Sequence, residues 1–299
     1  MYLNQLDTFL CVAKCKSFSK AAKILFLSQP TISSHIKSLE SELNVQLFIR
    51  STKEVELSEA GEIFYPCALK MLATRDIAFS QLQKFNTKSK QTLKIAASSV
   101  PSQYLLPPAL TKVKELYPEA VFRIEQVDSE QVIENVSNFE SFIGIGGMNT
   151  GNPKCTFKPF FEDNLVVITP NNSFYQSLHK HFPPRLLLKE PFINRESGSG
   201  TQQTIEAFFE QHNISNSSLN ITATMETTEE IKKAVAAGLG ISIISGIAAE
   251  DYLKFGYLLS FEFPLHSPKR EMYMITHKEY VLSPLADALY KTMVRMYHL

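Results

Sequence analysis

The chain reads as an α+β multi-domain protein in three parts. A cluster of short helices ending in two short strands comes first, then one long helix, then a C-terminal α/β region. Three observations predict this. Apolar residues recur at helical spacing through the first forty or so positions, punctuated by serine and proline. A long run after Ser58 carries a near-heptad apolar stripe. From Leu93 onward, short apolar runs alternate with amphipathic segments. At roughly 100–200 residues per domain, a chain of 299 residues holds two or three domains.

Leu3, Leu6, Phe9, Leu10 and Ala13 mark one face of a first helix. Ser17-Phe18-Ser19 supplies a cap before a second helix, Lys20–Leu25. Leu27-Ser28 makes a turn, and Pro30 follows where a first-turn proline is tolerated. Ile32, Ile36, Leu39 and Leu43 then form the inner face of a third helix. Two strands, Val45–Phe48 and Val55–Leu57, flank a charged turn. In the long helix the stripe is Ile63, Cys67, Met71, Ala78, Leu82 and Phe85. No local element covers such a stripe over ~40 Å at ~1.5 Å per residue, so a second copy of the helix is the simplest cover.

The polar segment 86–91 reads as a linker. Strands are expected at Leu93–Ala97, Val121–Gln126, Phe142–Ile145, Leu165–Thr169, Phe192–Asn194, Ile221–Met225, Ile241–Ser245 and Met272–Thr276. Helices are expected at Leu105–Leu116, Glu130–Val136, Thr201–Gln211, Ile231–Ala237 and Ser283–Tyr297. Asp128 with Gln131, and Thr227 with Glu230, have capping-box spacing.

Bulk properties restrict the function classes. Formal net charge is zero, and 44% hydrophobic with 20% charged residues is an ordinary globular composition. Residues 1–58 carry a mild local excess of Lys and Arg, compatible with a phosphate partner. Cys11, Cys15, Cys67 and Cys155 have no zinc-site spacing and are expected as reduced thiols, which fits a cytoplasmic protein. Asp7 interrupts any apolar leader, so no signal peptide is expected. The longest apolar stretch, Gly238 to Ala249, is too short to span a bilayer.

The segment Ser19–Glu42 has the pattern of a helix-turn-helix, whose second helix lies in the DNA major groove with its first turn nearest the bases. Gln29, Pro30, Thr31, Ser33, Ser34, His35 and Lys37 would face outward there. These short polar groups suit base edges. Ser28 would cap the helix, and Arg50 and Lys53 in the wing would meet backbone phosphates. The same pattern also fits a small helical bundle with a polar face.

The run Leu27-Ser28-Gln29-Pro30-Thr31-Ile32-Ser33-Ser34-His35-Ile36-Lys37-Ser38-Leu39-Glu40 resembles the LysR-type transcriptional regulator family. So do Leu47-Phe48-Ile49-Arg50 and Val55-Glu56-Leu57-Ser58-Glu59-Ala60-Gly61. The resemblance implies a sequence-specific DNA-binding regulator with a periplasmic-binding-protein-like, two-lobed effector domain. Its domains would be the winged helix-turn-helix at 1–58, a linker helix at 59–88 and the effector domain at 92–299. Lobe I would be 92–164 with 268–299, and lobe II 165–267. The implied partners are double-stranded DNA with a partly palindromic operator, a small-molecule effector, and RNA polymerase. The chain itself would form a homodimer through the linker helix and then a homotetramer. No membrane, cofactor, metal or catalytic residue is expected. Three positions depart from the family pattern: Ser34 where arginine is frequent, Asn44 where glycine is common, and Phe142 where Asp usually precedes Ile-Gly-Ile.

Within the effector region, Ala97–Ser102 would line the cleft, with Ser98 and Ser99 as hydroxyl donors, and Gly147 would let a ligand approach the backbone. Asn194–Thr201 resembles the Arg-Glu-x-Gly-Ser-Gly-Thr segment of sulfur- and carbon-assimilation regulators. Ser197, Ser199, Gly200 and Thr201 at a helix start would cradle a small oxyanion or carboxylate. A glycine-rich turn with no ligand has the same pattern. Arg195 would either approach the ligand or pair nearby. Enzymatic alternatives lack their signatures. Ser197 stands where a nucleophile elbow needs glycine, and Gly144, Gly146 and Gly147 complete neither a dinucleotide fingerprint nor a P-loop. His179 and His181 beside two prolines suit a loop rather than a metal. A stand-alone solute-binding protein would need a leader and no helix-turn-helix.

Overall fold

A computed structural model describes residues 1–50, 55–82, 91–178, 182–263, 268–279 and 281–297. The chain divides into two compact units, Met1–Thr87 with Asn138–Glu140, and Lys88–Ser137 with Ser141–Leu299.

The first unit begins with α1 (Leu3–Cys15), α2 (Phe18–Leu25) and α3 (Gln29–Leu43). Ser17 and Ser28 accept the amides of Lys20 and Thr31 and so start α2 and α3. Lys16, Phe26 and Asn44 end the three helices in the left-handed region. Asn44 takes φ 54° there, so it does the work of the glycine common at that position. The core gathers Leu6, Phe9, Val12, Phe18, Ile32, Ile36, Leu39 and Leu47. Phe9 lies at its centre, with ring centroids 5.4 Å from Phe48 and 5.2 Å from Phe64.

A two-stranded wing follows, β1 (Phe48–Arg50) and β2 (Val55–Leu57), paired antiparallel. The first strand starts later than the expected Val45–Phe48. Glu40 Oε1 accepts the amides of Leu47 and Phe48 at 2.8 and 3.3 Å, which holds that stretch against α3, and the ladder begins only at Phe48. Helix α4 (Glu59–Leu82) puts Phe64, Tyr65, Ala68 and Leu72 into the core. Its other face leaves Ile63 68% and Leu82 62% exposed, with Cys67, Met71 and Ala78 also open to solvent. The apolar stripe read from sequence is therefore uncovered in the single chain. Phe85 lies outside the described residues.

The second unit carries two sheets that share one strand. Strands β3 (Thr92–Ala97), β4 (Val121–Gln126) and β5 (Ile143–Gly146) are parallel. Next to β5 runs β11 (Lys269–His277), antiparallel, and then β6 (Cys155–Pro170). The C-terminal part of β6 leaves β11 and pairs instead with β9 (Ser242–Ser245) and β10 (Leu258–Phe261). Parallel strands β7 (Pro191–Arg195) and β8 (Asn220–Met225) join that second sheet through a bridge from Phe192 to Ile241. Around the first sheet lie α5 (Leu106–Leu116), α6 (Ser129–Ser137) and, late in the chain, α12 (Pro284–Tyr297). Around the second lie α7 (Ser173–Gln176), α8 (Pro184–Lys189), α9 (Gly200–Gln211), α10 (Thr228–Ala236) and α11 (Gly246–Lys254).

Strand β6 is the main departure from the sequence reading, which expected only Leu165–Thr169. Pro159 lies in its first half, where a ladder donor is missing, and β11 shifts register between Met272 and Tyr273 opposite it. That irregularity hides the alternation. Phe142 packs half-buried against the core of the first sheet, so an apolar contact stands where the family pattern has a charge.

Candidate functional site

Two helix N-termini hold the candidate sites. In the first unit, Ser28 Oγ accepts Thr31 N at 3.2 Å and lies 2.7 Å from Thr31 Oγ1. Ile32, Ile36 and Leu39 are fully buried, which turns the opposite face of α3 outward. On that face Gln29, Pro30, Ser34 and Lys37 are exposed, and Thr31 and Ser33 are half-buried. The Ser19 hydroxyl donates to Gln29 Oε1 at 2.9 Å, leaving the Gln29 amide group without an acceptor among the described residues. Lys20, Lys23 and Lys37 are exposed on α2 and α3.

His35 does not join the outward set expected of it. The Thr8 hydroxyl donates to Asn4 O at 2.7 Å and lies 2.9 Å from His35 Nδ1, so it accepts the ring proton there. His35 thus ties α3 to α1. Arg50 lies in β1, and Lys53 lies outside the described residues. On α1, burial and the neighbouring Cys15 push the Cys11 thiol up to about 11.

In the second unit a cleft of about 350 Å³ opens where the C-terminal ends of β3 and β4 face those of β7 and β8. Ligands of open α/β sheets collect at such strand ends. Ser98 and Ser99 follow β3, and Asp128 and Ser129 follow β4. Ser199, Gly200 and Thr201 begin α9, and Arg270 projects from β11. Gly198 takes φ +85°, the turn that brings the chain into the helix. Ser199 occupies the cap position of α9, yet its side chain makes no capping bond. The amides of Gly200, Thr201 and Gln202 have no partner within the helix, as in any first turn.

Two buried arginines back this wall. Arg270 pairs with Asp163 through Nε at 2.9 Å and Nη2 at 2.8 Å, and donates from Nη1 to Thr201 Oγ1 at 2.7 Å. Asp163 also accepts the Ser245 hydroxyl at 2.7 Å. Arg195 pairs with Glu196 at 3.0 and 2.6 Å, and donates to Thr228 Oγ1 at 3.1 Å, Ser99 Oγ at 3.4 Å and Glu226 O at 2.9 Å. The sequence left open whether Arg195 approaches a ligand or pairs nearby; it pairs, and its side chain also lines the cleft. Each hydroxyl that accepts from an arginine keeps its own proton free. The wall is therefore rich in donors.

A second tie joins the segment after Ser102 to α10. Lys232 is fully buried and donates to Asp251 at 2.8 and 3.0 Å and to Tyr104 OH at 2.9 Å, with Glu229 at 2.6 Å. Burial alone would lower its pKa, but these hydrogen bonds outweigh that and raise it. Burial and the bond to Glu229 raise Tyr104 likewise. Thr227 and Glu230 close the expected capping box of α10 at 3.2 and 3.0 Å.

Residues 3–62 match the model of the bacterial regulatory helix-turn-helix proteins of the lysR family, and residues 86–297 match the LysR substrate binding domain. The chain belongs to the LysR family. The HTH-type transcriptional regulator CysL of Bacillus subtilis is 32% identical over 245 residues, 82% of this chain and 81% of CysL. Full-length CbnR, solved with its target DNA, has a TM-score of 0.69 at 20% identity, covering 99% of both chains. The regulatory domain of CcmR from Synechocystis, solved with 2-PG, has a TM-score of 0.62 at 22% identity, covering 69% of this chain and 97% of that domain.

This LysR regulator therefore couples a DNA-binding helix-turn-helix to a substrate-binding effector domain, and its family consists of transcription regulators, not enzymes. No helix among the described residues is long and apolar enough to cross a membrane. Of the effector residues read from the sequence, Ser98, Ser99, Ser199, Gly200 and Thr201 line the cleft. Ser197 is exposed outside it. Gly147 lies behind the wall: a Cβ there would meet Arg270 Nη1 at 3.3 Å, and its carbonyl lies 2.9 Å from where a Cβ on Gly200 would sit. Sequence reasoning missed Arg270, Asp128 as a lining group, and Glu226. A signal for Arg270 was present. It alternates with Met272 and Met274 on the buried face of β11, but the flanking Lys269 and Glu271 made it look like a surface charge.

Proposed function

We propose that this LysR regulator binds a partly palindromic operator as a homodimer through the exposed stripe of α4, with two dimers forming a tetramer. It works in the cytoplasm, where its thiols stay reduced. Ser28, Gln29, Pro30, Thr31, Ser33, Ser34 and Lys37 read or position the duplex, with Arg50 and Lys53 on phosphates. The domain boundaries are those read from the sequence, near residues 58 and 88, with lobes meeting at the cleft. The effector is a small carboxylate or oxyanion held by Ser98, Ser99, Ser199, Gly200 and Thr201, with Gly147 supporting the wall.

One observation carries the effector assignment. The first turn of α9 has an uncommitted cap hydroxyl and open amides inside a cleft where the Ser99 and Thr201 hydroxyls already accept from buried arginines. Donors so arranged suit an acceptor-only group. The complexes of CbnR with DNA and of CcmR with 2-PG support both partner classes.

Footprinting on genomic fragments, with and without small carboxylates and oxyanions, tests the reading as a whole. Gln29→Ala should weaken specific binding by ~1–3 kcal/mol if the side chain makes a bidentate base contact. An equal loss on random DNA would show that Gln29 does not read sequence. Ile63→Asp with Leu82→Asp should yield monomers by analytical ultracentrifugation; an unchanged dimer would place the interface elsewhere.

A further inference from the structure

We propose that the effector is a zwitterion of the amino-acid class, a carboxylate carrying an ammonium group. This rests on the cleft being the effector site. The charge inventory of the cleft points there. Arg195 and Arg270 are each matched by a carboxylate, Glu196 and Asp163. Two further carboxylates, Asp128 and Glu226, also line the cleft. With Asp163 neutralising Arg270 from behind the wall, the cleft itself is lined by two guanidiniums and three carboxylates, Glu196, Asp128 and Glu226. A plain anion entering this cleft would add to an existing negative excess, and like charges disfavour one another there. A zwitterion adds no net charge.

The donors and acceptors are also segregated. The donor wall is Ser98, Ser99, Ser199, Thr201 and the first turn of α9. Asp128 stands beside it. Its carboxylate would lie 3.4–3.6 Å from a Cβ on Gly198, the residue before the α9 cap. Asp128 Oδ1 accepts Gln131 N at 2.8 Å and starts α6, while Oδ2 has no hydrogen-bond partner among the described residues. Among those residues the Glu226 carboxylate has none either, while its carbonyl holds Arg195. A ligand carboxylate on the α9 turn therefore places an adjacent ammonium against Asp128 Oδ2, with Glu226 adding to the field at the mouth. The volume of about 350 Å³ suits a metabolite-sized guest rather than a bare inorganic ion.

The test is a thermal-shift and calorimetric comparison on the full-length protein. One set of probes is the protein amino acids; the other is sulfate, phosphate, acetate and succinate. Wild type should be stabilised by one or more amino acids and more weakly by every plain anion. Asp128→Asn should weaken the amino acid about tenfold and strengthen the plain anions, because the negative field falls. Asparagine still caps α6, so folding is retained. Plain anions binding as tightly as any amino acid, or Asp128→Asn leaving the preference unchanged, would overturn the zwitterion while leaving the cleft assignment standing. Silence from both probe sets would remove the cleft assignment and the zwitterion together.

Discussion

Helices α3 and α9 both start from serine with a threonine in the first turn, and they use these residues oppositely. At α3, Ser28 spends its hydroxyl oxygen on the Thr31 amide, and Ser28, Gln29 and Pro30 stand in solvent. At α9, Ser199 sits at the cap position, buried, and its side chain bonds to nothing in its own helix. The first helix is complete in itself, which under the proposed function presents a finished surface to a large, rigid partner. The second is finished only when something else fills its first turn. Under the proposed function, a motif that looks the same in sequence separates a surface that reads from a socket that senses.

Substitutions can break that contrast, and the largest effect is expected at Gly200. A Cβ there would lie 2.9 Å from Gly147 O and 3.0 Å from Ser129 Oγ, so Gly200→Val must push the cleft walls apart. We expect a loss of roughly 3 kcal/mol in urea unfolding, the upper range for overpacking. An unchanged midpoint would mean the walls yield freely. Next is Ser28→Ala, which should destabilise the first unit by about 1 kcal/mol through loss of the cap. Ser28→Asp should restore that stability, yet bind operator DNA worse than wild type, because a carboxylate faces phosphates. The smallest effect is expected for Ser199→Ala. Without a capping bond to lose, the ligand-free melting temperature should move by no more than about 0.5 kcal/mol equivalent. The stabilisation that a cleft ligand confers should shrink all the same. A ligand-free loss as large as that of Ser28→Ala would erase the distinction between the two helix starts.

Legibility in the sequence followed chain distance. Caps, turns and helix faces depend on residues three or four apart, and Ser17, Ser28 and the Thr227–Glu230 box were readable for that reason. The cleft segments following β3 and preceding α9 were readable because serine and glycine cluster there. Arg270 lies 69 positions from the Thr201 it bonds and 107 from the Asp163 it pairs with. No local pattern announces such a triad. His35 was misplaced for the same reason, since its partner Thr8 lies 27 residues upstream on another helix. Helix α11 was not foreseen, because the apolar run from Gly238 lacks the periodicity that separates strand from helix.

Arg270 stands one residue past Lys269, which pairs with Asn164; the next residue, Leu165, has already crossed to Ser245 in the other sheet. The guanidinium that backs the cleft wall is thus bolted to the seam where one continuous ladder changes partners. Any opening or closing of the walls is felt along β6 as torsion of a hydrogen-bonded ribbon. A guest that tugs on Thr201 acts on that ribbon through a single intervening side chain, so its message enters the scaffold at the axis rather than at the rim.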